Sequence, residues 1–344
     1  MNYADPTGGS FRVGGNGTSS FVGGSIRADG VFGPGANGGT ITMRNANFTT
    51  NPVGNLNIDL LSSISANNAG AGALGSVNLN SPGFTVSVTP STADVGSLNG
   101  LVNSTGTSVF INPQLAGTTV NVGTVLATAG DAEILLPCDS TTNINIAAGN
   151  SVTSNTGEVK LTAQTITNAG TVRGQTNARL MQDTLNNSGV IDAVTGDVFI
   201  SVCTDNNNLV LNTSAPGSIT ADNGDINLNT DATTAGGTIT VTGDGTLGSN
   251  AAGSINVGVT GERNAVSINV GTIVGCVTGF GTTFSVTTID NNANLMAGNI
   301  NADSNISLNA LGRSADFITC GPITSTAGNI SINAGAVGFD DSDI

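Results

Sequence analysis

The sequence predicts an all-β chain wound as a right-handed parallel β-helix, a β-solenoid. Three observations carry that prediction: apolar residues alternate with small polar ones in short runs, the runs recur, and the composition suits stacked coils better than a globular enzyme.

The alternation is clearest in Gly217 to Asn229, GSITADNGDINLN, where Ile and Leu take every second position on either side of a bend. Period-2 alternation marks a strand with one buried face. The same two-strand unit returns as GVIDAVTGDVFI at Gly189 to Ile200, as GNINADSNISL at Gly298 to Leu308 and as GPITSTAGNISI at Gly321 to Ile332.

A longer recurrence overlies it. TITNAGTV at Thr165 to Val172 returns as TLNNSGVI at Thr184 to Ile191, which predicts coils of about 20 residues. A unit this short closes no core alone and must stack on its neighbours around a shared apolar interior. The right hand follows from the general rule for parallel crossovers.

Composition narrows the class further. Of 344 residues, 49 are Gly, only 3% are aromatic and 9% are charged, with no Trp and no His. Globular domains average about 25% charged residues. Regularly spaced apolar residues, 38% of the chain, also argue against disorder. One repeating structure is therefore expected in three stretches: a Gly-rich irregular N-terminal cap or interface arm over 1–50, a β-helix with inserted loops over 51–150, and a regular β-helix shaft over 151–344. Within the last, the Gly-rich run Gly271 to Gly281 is expected to bulge from the stack. No stretch carries helix periodicity with capping signals.

Ser108 to Thr128, SVFINPQLAGTTVNVGTVLAT, joins a turn to this repeat. Proline fixes φ near about −65° and lacks an N–H, and a preceding Asn closes an Asx turn, so Asn112, Pro113 and Gln114 are expected to end one strand and re-aim the next. The run VFINPQLAGTTVNVG followed by TVLAT resembles the Asn-Pro motif region of filamentous haemagglutinin-like exoproteins of the two-partner secretion pathway. The Gly-x-Ile-x-Ala and Asn-x-Gly-x-Ile copies resemble that family's β-helical shaft repeats. The resemblance implies an extracellular or cell-surface adhesin, fibre or filament subunit of a Gram-negative-type bacterium. It makes the Asn112–Gln114 turn a secretion-motif-like element, and it implies an outer-membrane two-partner-secretion transporter and host or surface glycans as partners.

The four cysteines, Cys138, Cys203, Cys276 and Cys320, lack CxxC or metal-ligand spacing. They are candidates for disulfides, for intermolecular thiols or for small buried hydrophobes. With coils of about 20 residues, Cys276 and Cys320 would lie about two coils, or ~10 Å, apart, beyond the ~7 Å Cα limit of an unstrained bridge unless inserted loops intervene.

No catalytic, cofactor or metal-ligand set emerges. Without His there is no Ser-His or Cys-His relay. Asp222 and Asp225 flank a turn, Asp183 lies near Arg179 in sequence, and Asp340, Asp341 and Asp343 cluster, all expected as solvated carboxylates. The alternative function is a β-helical protein that binds or processes polysaccharide, which would gather carboxylates with Arg173, Arg179, Arg263 and Arg313 on one face.

A net charge of −15 with eight dispersed basic residues supplies no basic stripe for nucleic acid. It suits solubility of a long stack. No run reaches the length of a membrane span, and MNYADPTGGSF lacks the regions of an export signal, so a mature or internal piece of a longer protein is expected. The Asn-x-Ser/Thr triplets at Asn47, Asn103 and Asn212 are glycosylation candidates. Together these readings point to a non-enzymatic adhesive or structural solenoid, with open strand edges available for self-association into a filament.

Overall fold

The computed structural model describes residues 2–4, 10–15, 19–22, 25–30, 35–45, 56–59, 63–68, 71–81, 85–88, 97–138, 141–203, 208–230, 237–249, 253–258 and 264–335. These residues are strand, turn, bend and irregular segment, without a helix. The strand ladders are parallel, so the fold is a parallel β-helix. The chain divides into two compact units, 1–179 and 180–344.

In the first unit the strands run in three ladders. One holds Asn2–Ala4, Ser25–Asp29, Ser63–Ser65 and Ser97–Asn99. A second holds Ser10–Gly15, Thr40–Asn45, Ser76–Ser81, Leu101–Gly106 and Thr119–Ala127. The third includes Val86–Val88, Val109–Ile111, Ala132–Leu135 and Val159–Thr162. Thr119–Ala127 pairs with Asn143–Ser154 in two runs separated by a register shift after Val122. The halves of Asn143–Ser154 then pair separately with Thr165–Asn168 and Thr171–Gly174.

The second unit repeats the plan. Asn208–Thr213, Thr238–Thr242, Ala265–Val270, Thr283–Thr288, Ile306–Ala310 and Ile330–Ala334 form one face. Val190–Ala193, Ser218–Ala221, Thr246–Ser249 and Thr272–Val274 form another. Val198–Ser201, Ile226–Asn229, Ser254–Val257, Cys276–Gly281 and Leu295–Ala302 form the third.

Alternation is what fills the core. Leu209, Ile239, Val266, Phe284 and Ile306 stack in register as one column, each at most 2% exposed, beside the column Leu211, Val241, Ile268, Val286 and Leu308. Full burial of such side chains contributes about 1.5–3 kcal/mol each. Because equivalent positions stack on themselves, the columns are built mainly from aliphatic side chains, with Phe284 the one aromatic in the pair of columns named.

Coil length varies around the expected 20 residues: hydrogen bonds between neighbouring coils span from 18 residues, Thr272 to Asp290, to 38, Asn67 to Asp29. Each coil carries three strands, and the overlapping two-strand units read from the sequence are parts of one coil. The described strands of segment 1–50 pair in the same ladders as the strands that follow, with Ile26, Ala28, Ile41 and Met43 buried. Backbone pairing needs no side chain, so glycine-rich spacers between short alternating strands suffice.

Gly271 to Gly281 does not bulge. Thr272–Val274 and Cys276–Gly281 lie inside their ladders, and glycine is required there by close approach. A Cβ on Gly279 would stand 2.2 Å from the Val257 carbonyl oxygen and 2.9 Å from the Phe284 ring.

Candidate functional site

The Asn-Pro turn sits where Val109–Ile111 ends. The Asn112 N–H donates to the Val88 carbonyl at 2.8 Å, Pro113 is buried, and the Gln114 side-chain amide donates to Asn112 Oδ1. Thr118 donates both its N–H, at 3.2 Å, and its hydroxyl, at 2.5 Å, to the Leu115 carbonyl before Thr119–Ala127 begins. The motif turns the chain from one face to the next, with Leu115 39% exposed at its tip.

Cys276 and Cys320 form a disulfide with a Cα–Cα distance of 6.3 Å. The regular rise does not apply here, because Leu295–Ala302 shifts register against Cys276–Gly281 after Val277 and Asn299 takes a φ of 50°. Gly298 lets Cys320 approach, since a Cβ there would lie 2.6 Å from the Cys320 carbonyl carbon. Cys138 and Cys203 are likewise in the disulfide state, and no free cysteine occurs among the described residues.

Charged groups in the first unit serve the stack. The only lysine, Lys160, lies 2.9 Å from Glu133 and 2.6 Å from Glu158, and Arg179 Nε donates to Glu158 at 2.9 Å. Burial favours the protonated form of Glu158, but hydrogen bonds from Lys160 and Arg179 outweigh it and hold the carboxyl below its ordinary range. The same partnership holds Lys160 above its ordinary value against the opposing effect of burial. Arg27 pairs with Asp29 at 2.7 Å; there too burial is outweighed, by bonds from Ser65, the Asn67 N–H and Arg27, so the carboxyl is depressed.

Arg263 and the cluster Asp340, Asp341 and Asp343 lie outside the described residues, as does Asn47. Asn103 and Asn212 are committed to bridging coils. Asn103 Nδ2 donates to Asn78 at 3.0 Å while its Oδ1 accepts from the Thr124 N–H, and Asn212 donates to Asn186 and accepts from Thr242, both at 2.8 Å. Asp225 is bonded to the Ser254 N–H and Asn256, and Asp183 to the Cys203 N–H.

Sequence reasoning missed a groove on the second unit, about 510 Å³ in volume, lined by Thr220, Asp222, Asn223, Thr246, Gly248 and Val274. Its floor is the ladder Thr220–Gly248–Val274, one residue from each of three successive coils. The middle rung lacks a side chain. A Cβ at Gly248 would meet Thr220 Cγ2 at 3.6 Å, Val274 Cβ at 3.8 Å and Thr246 Cγ2 at 3.9 Å, so the floor is ringed by apolar groups at ordinary contact distance. Val274 is 45% exposed.

The polar side of the groove is the bend after Ser218–Ala221. Asn223 Nδ2 is held by the Val194 carbonyl at 2.7 Å, and Thr220 Oγ1 donates to Asp192 at 2.9 Å. Among the described residues the Asp222 carboxylate and the Thr246 hydroxyl have no hydrogen-bond partner. Nor does any group of three or more His, Cys, Asp or Glu among them stand ready to hold a metal, and no helix is long and apolar enough to cross a membrane.

Comparison with known proteins yields no match, whether by family model, by curated sequence or by solved structure. The fold and its surfaces are therefore the ground for function.

Proposed function

We propose that this chain is an extracellular structural and adhesive β-solenoid, a shaft or fibre subunit that associates end to end with further copies. The observation that carries the reading is the state of the last described coil. Ile330 and Ile332 continue the core columns of Ile306 and Leu308, which are 1% and 0% exposed, yet both are 44% exposed. Strand Ile330–Ala334 pairs on one side with Ile306–Ala310, and no strand covers its other edge among the described residues.

Such a coil matches another coil of the same kind. A parallel edge with apolar columns two residues apart is what Ile306–Ala310 itself offers to its neighbour. In the first unit, strands Asn2–Ala4, Ser10–Gly15 and Ser19–Val22 are also paired on one side among the described residues. A heterologous contact between copies propagates into a fibre when it does not close.

Other features support the mechanical role. Asn and Thr side chains bridge neighbouring coils, as in Asn145 to Asn121, Asn256 to Asn227 and Asn333 to Asn309. Disulfides accord with an oxidising compartment outside the cell. The resemblance of Val109 to Gly123 to haemagglutinin-like exoproteins supports export through an outer-membrane two-partner-secretion transporter. The test is association: light scattering of the purified chain across salt and calcium concentrations is expected to show growth in mass with protein concentration. A monodisperse monomer throughout would overturn the fibre reading.

A further inference from the structure

We infer that the groove over Gly248 is a binding site for an uncharged oligosaccharide. The inference rests on the groove alone and is independent of end-to-end assembly.

Two surfaces of different chemistry meet there. The floor presents the methyl groups of Thr220 and Thr246 and the side chain of Val274 around the empty position at Gly248. The bend presents the Asp222 carboxylate and Asn223, whose Nδ2 is already used by Val194, so that its Oδ1 remains an acceptor. A pyranose has the complementary pair of surfaces: a C–H face for the floor and a rim of hydroxyl donors for the acceptors. A carboxylate receiving hydroxyl donors makes the stronger, charge-assisted kind of hydrogen bond. The Thr246 hydroxyl, uncommitted among the described residues, can donate or accept.

Charge selects among saccharides. Among the described residues the lining has one carboxylate and no cationic group, and the chain carries −15 overall, so sulfated or uronic glycans are repelled. A lone free carboxylate is also too few ligands for calcium, which takes about 6–8 oxygens. The volume, about 510 Å³, lies within the range of about 300–1,000 Å³ usual for small-molecule sites.

Gly248 supplies a clean test, since an added side chain meets neighbours only at ordinary contact distances and grows into the groove. Calorimetric titration of the full chain with uncharged gluco-, manno-, galacto- and N-acetylhexosamine oligomers is expected to find binding for at least one series. Gly248→Leu is then expected to weaken it more than about tenfold, and Asp222→Asn by about tenfold through loss of the charged acceptor, both with unchanged melting temperature. Should Gly248→Leu melt early, Asp222→Asn decides alone. The inference is overturned if no uncharged series binds, if binding is indifferent to the deciding variant, or if only anionic saccharides bind.

Discussion

The carboxylate of Asp225 accepts a hydrogen bond of 2.7 Å from the backbone N–H of Ser254, 29 residues later and one coil away. Asp197 accepts in the same way from the Asp225 N–H at 2.8 Å, and Asp131 from the Glu158 N–H at 2.9 Å. Where acidic residues are few, these serve as inter-coil clamps, each satisfying an N–H at the corner where a strand begins. Asparagine does the same at Asn294 toward Asp316 and at Asn305 toward Asn329.

Asp225→Ala leaves the Ser254 N–H without its acceptor and also removes the contact from Asn256. The expected loss is about 1–3 kcal/mol in denaturant unfolding. Asp225→Asn retains an acceptor oxygen and should cost less than the alanine variant. Equal losses for the two would show that the clamp is not the source of the stabilisation.

Two glycines in one unit are expected to behave oppositely. Gly279→Ala drives a Cβ to 2.2 Å from the Val257 carbonyl oxygen, with backbone on one side and Phe284 on the other. Overpacking of that kind costs about 1–3 kcal/mol or more. Gly248→Ala meets only contacts of 3.6 Å or longer and should lie within about 0.5 kcal/mol of wild type. Chemical denaturation of both variants checks the contrast.

Gln182 is fully buried, and both its amide atoms lack a partner among the described residues. Burying an unsatisfied polar group costs about 1–3 kcal/mol. Gln182→Met keeps nearly the same volume without the amide, so it is expected to raise the unfolding midpoint. A lowered midpoint would show that the amide has a partner in solution.

Acid should act on the first unit through Glu158. Its carboxyl is held below the ordinary value of 4.5 by Lys160 and Arg179. The resulting stability is present above the unfolded-state value and is lost as pH falls through the lower folded-state value. Thermal melts below pH 4.5 should therefore decline less steeply in Glu158→Gln than in wild type, from a lower starting point at pH 7. Parallel declines would remove Glu158 from the account.

Much of the fold was legible because stacking leaves its mark on every strand. Ile219 and Ala221, Ile226 and Leu228, or Ile306 and Leu308 show the period-2 alternation that buries them. The number of strands per coil was less legible, since hydrogen-bonded neighbours lie 18 to 38 residues apart and variable turns hide the spacing. The Cys276–Cys320 bridge depends on a register shift that no regular rise anticipates. The groove escaped for a similar reason: Thr220, Gly248 and Val274 are distant in sequence and meet only because three coils are in register. Its floor is defined by a side chain that Gly248 lacks, and one glycine among 49 carries no local signal of that role.

End-to-end association is the central claim, and negative-stain microscopy of the purified chain tests it most directly. Fibres are expected from the wild-type protein. Short isolated particles are expected from the double variant Ile330→Lys with Ile332→Lys, whose changes fall on exposed side chains of the last described coil. Isolated particles from both proteins, or fibres from both, would contradict the assembly proposed here.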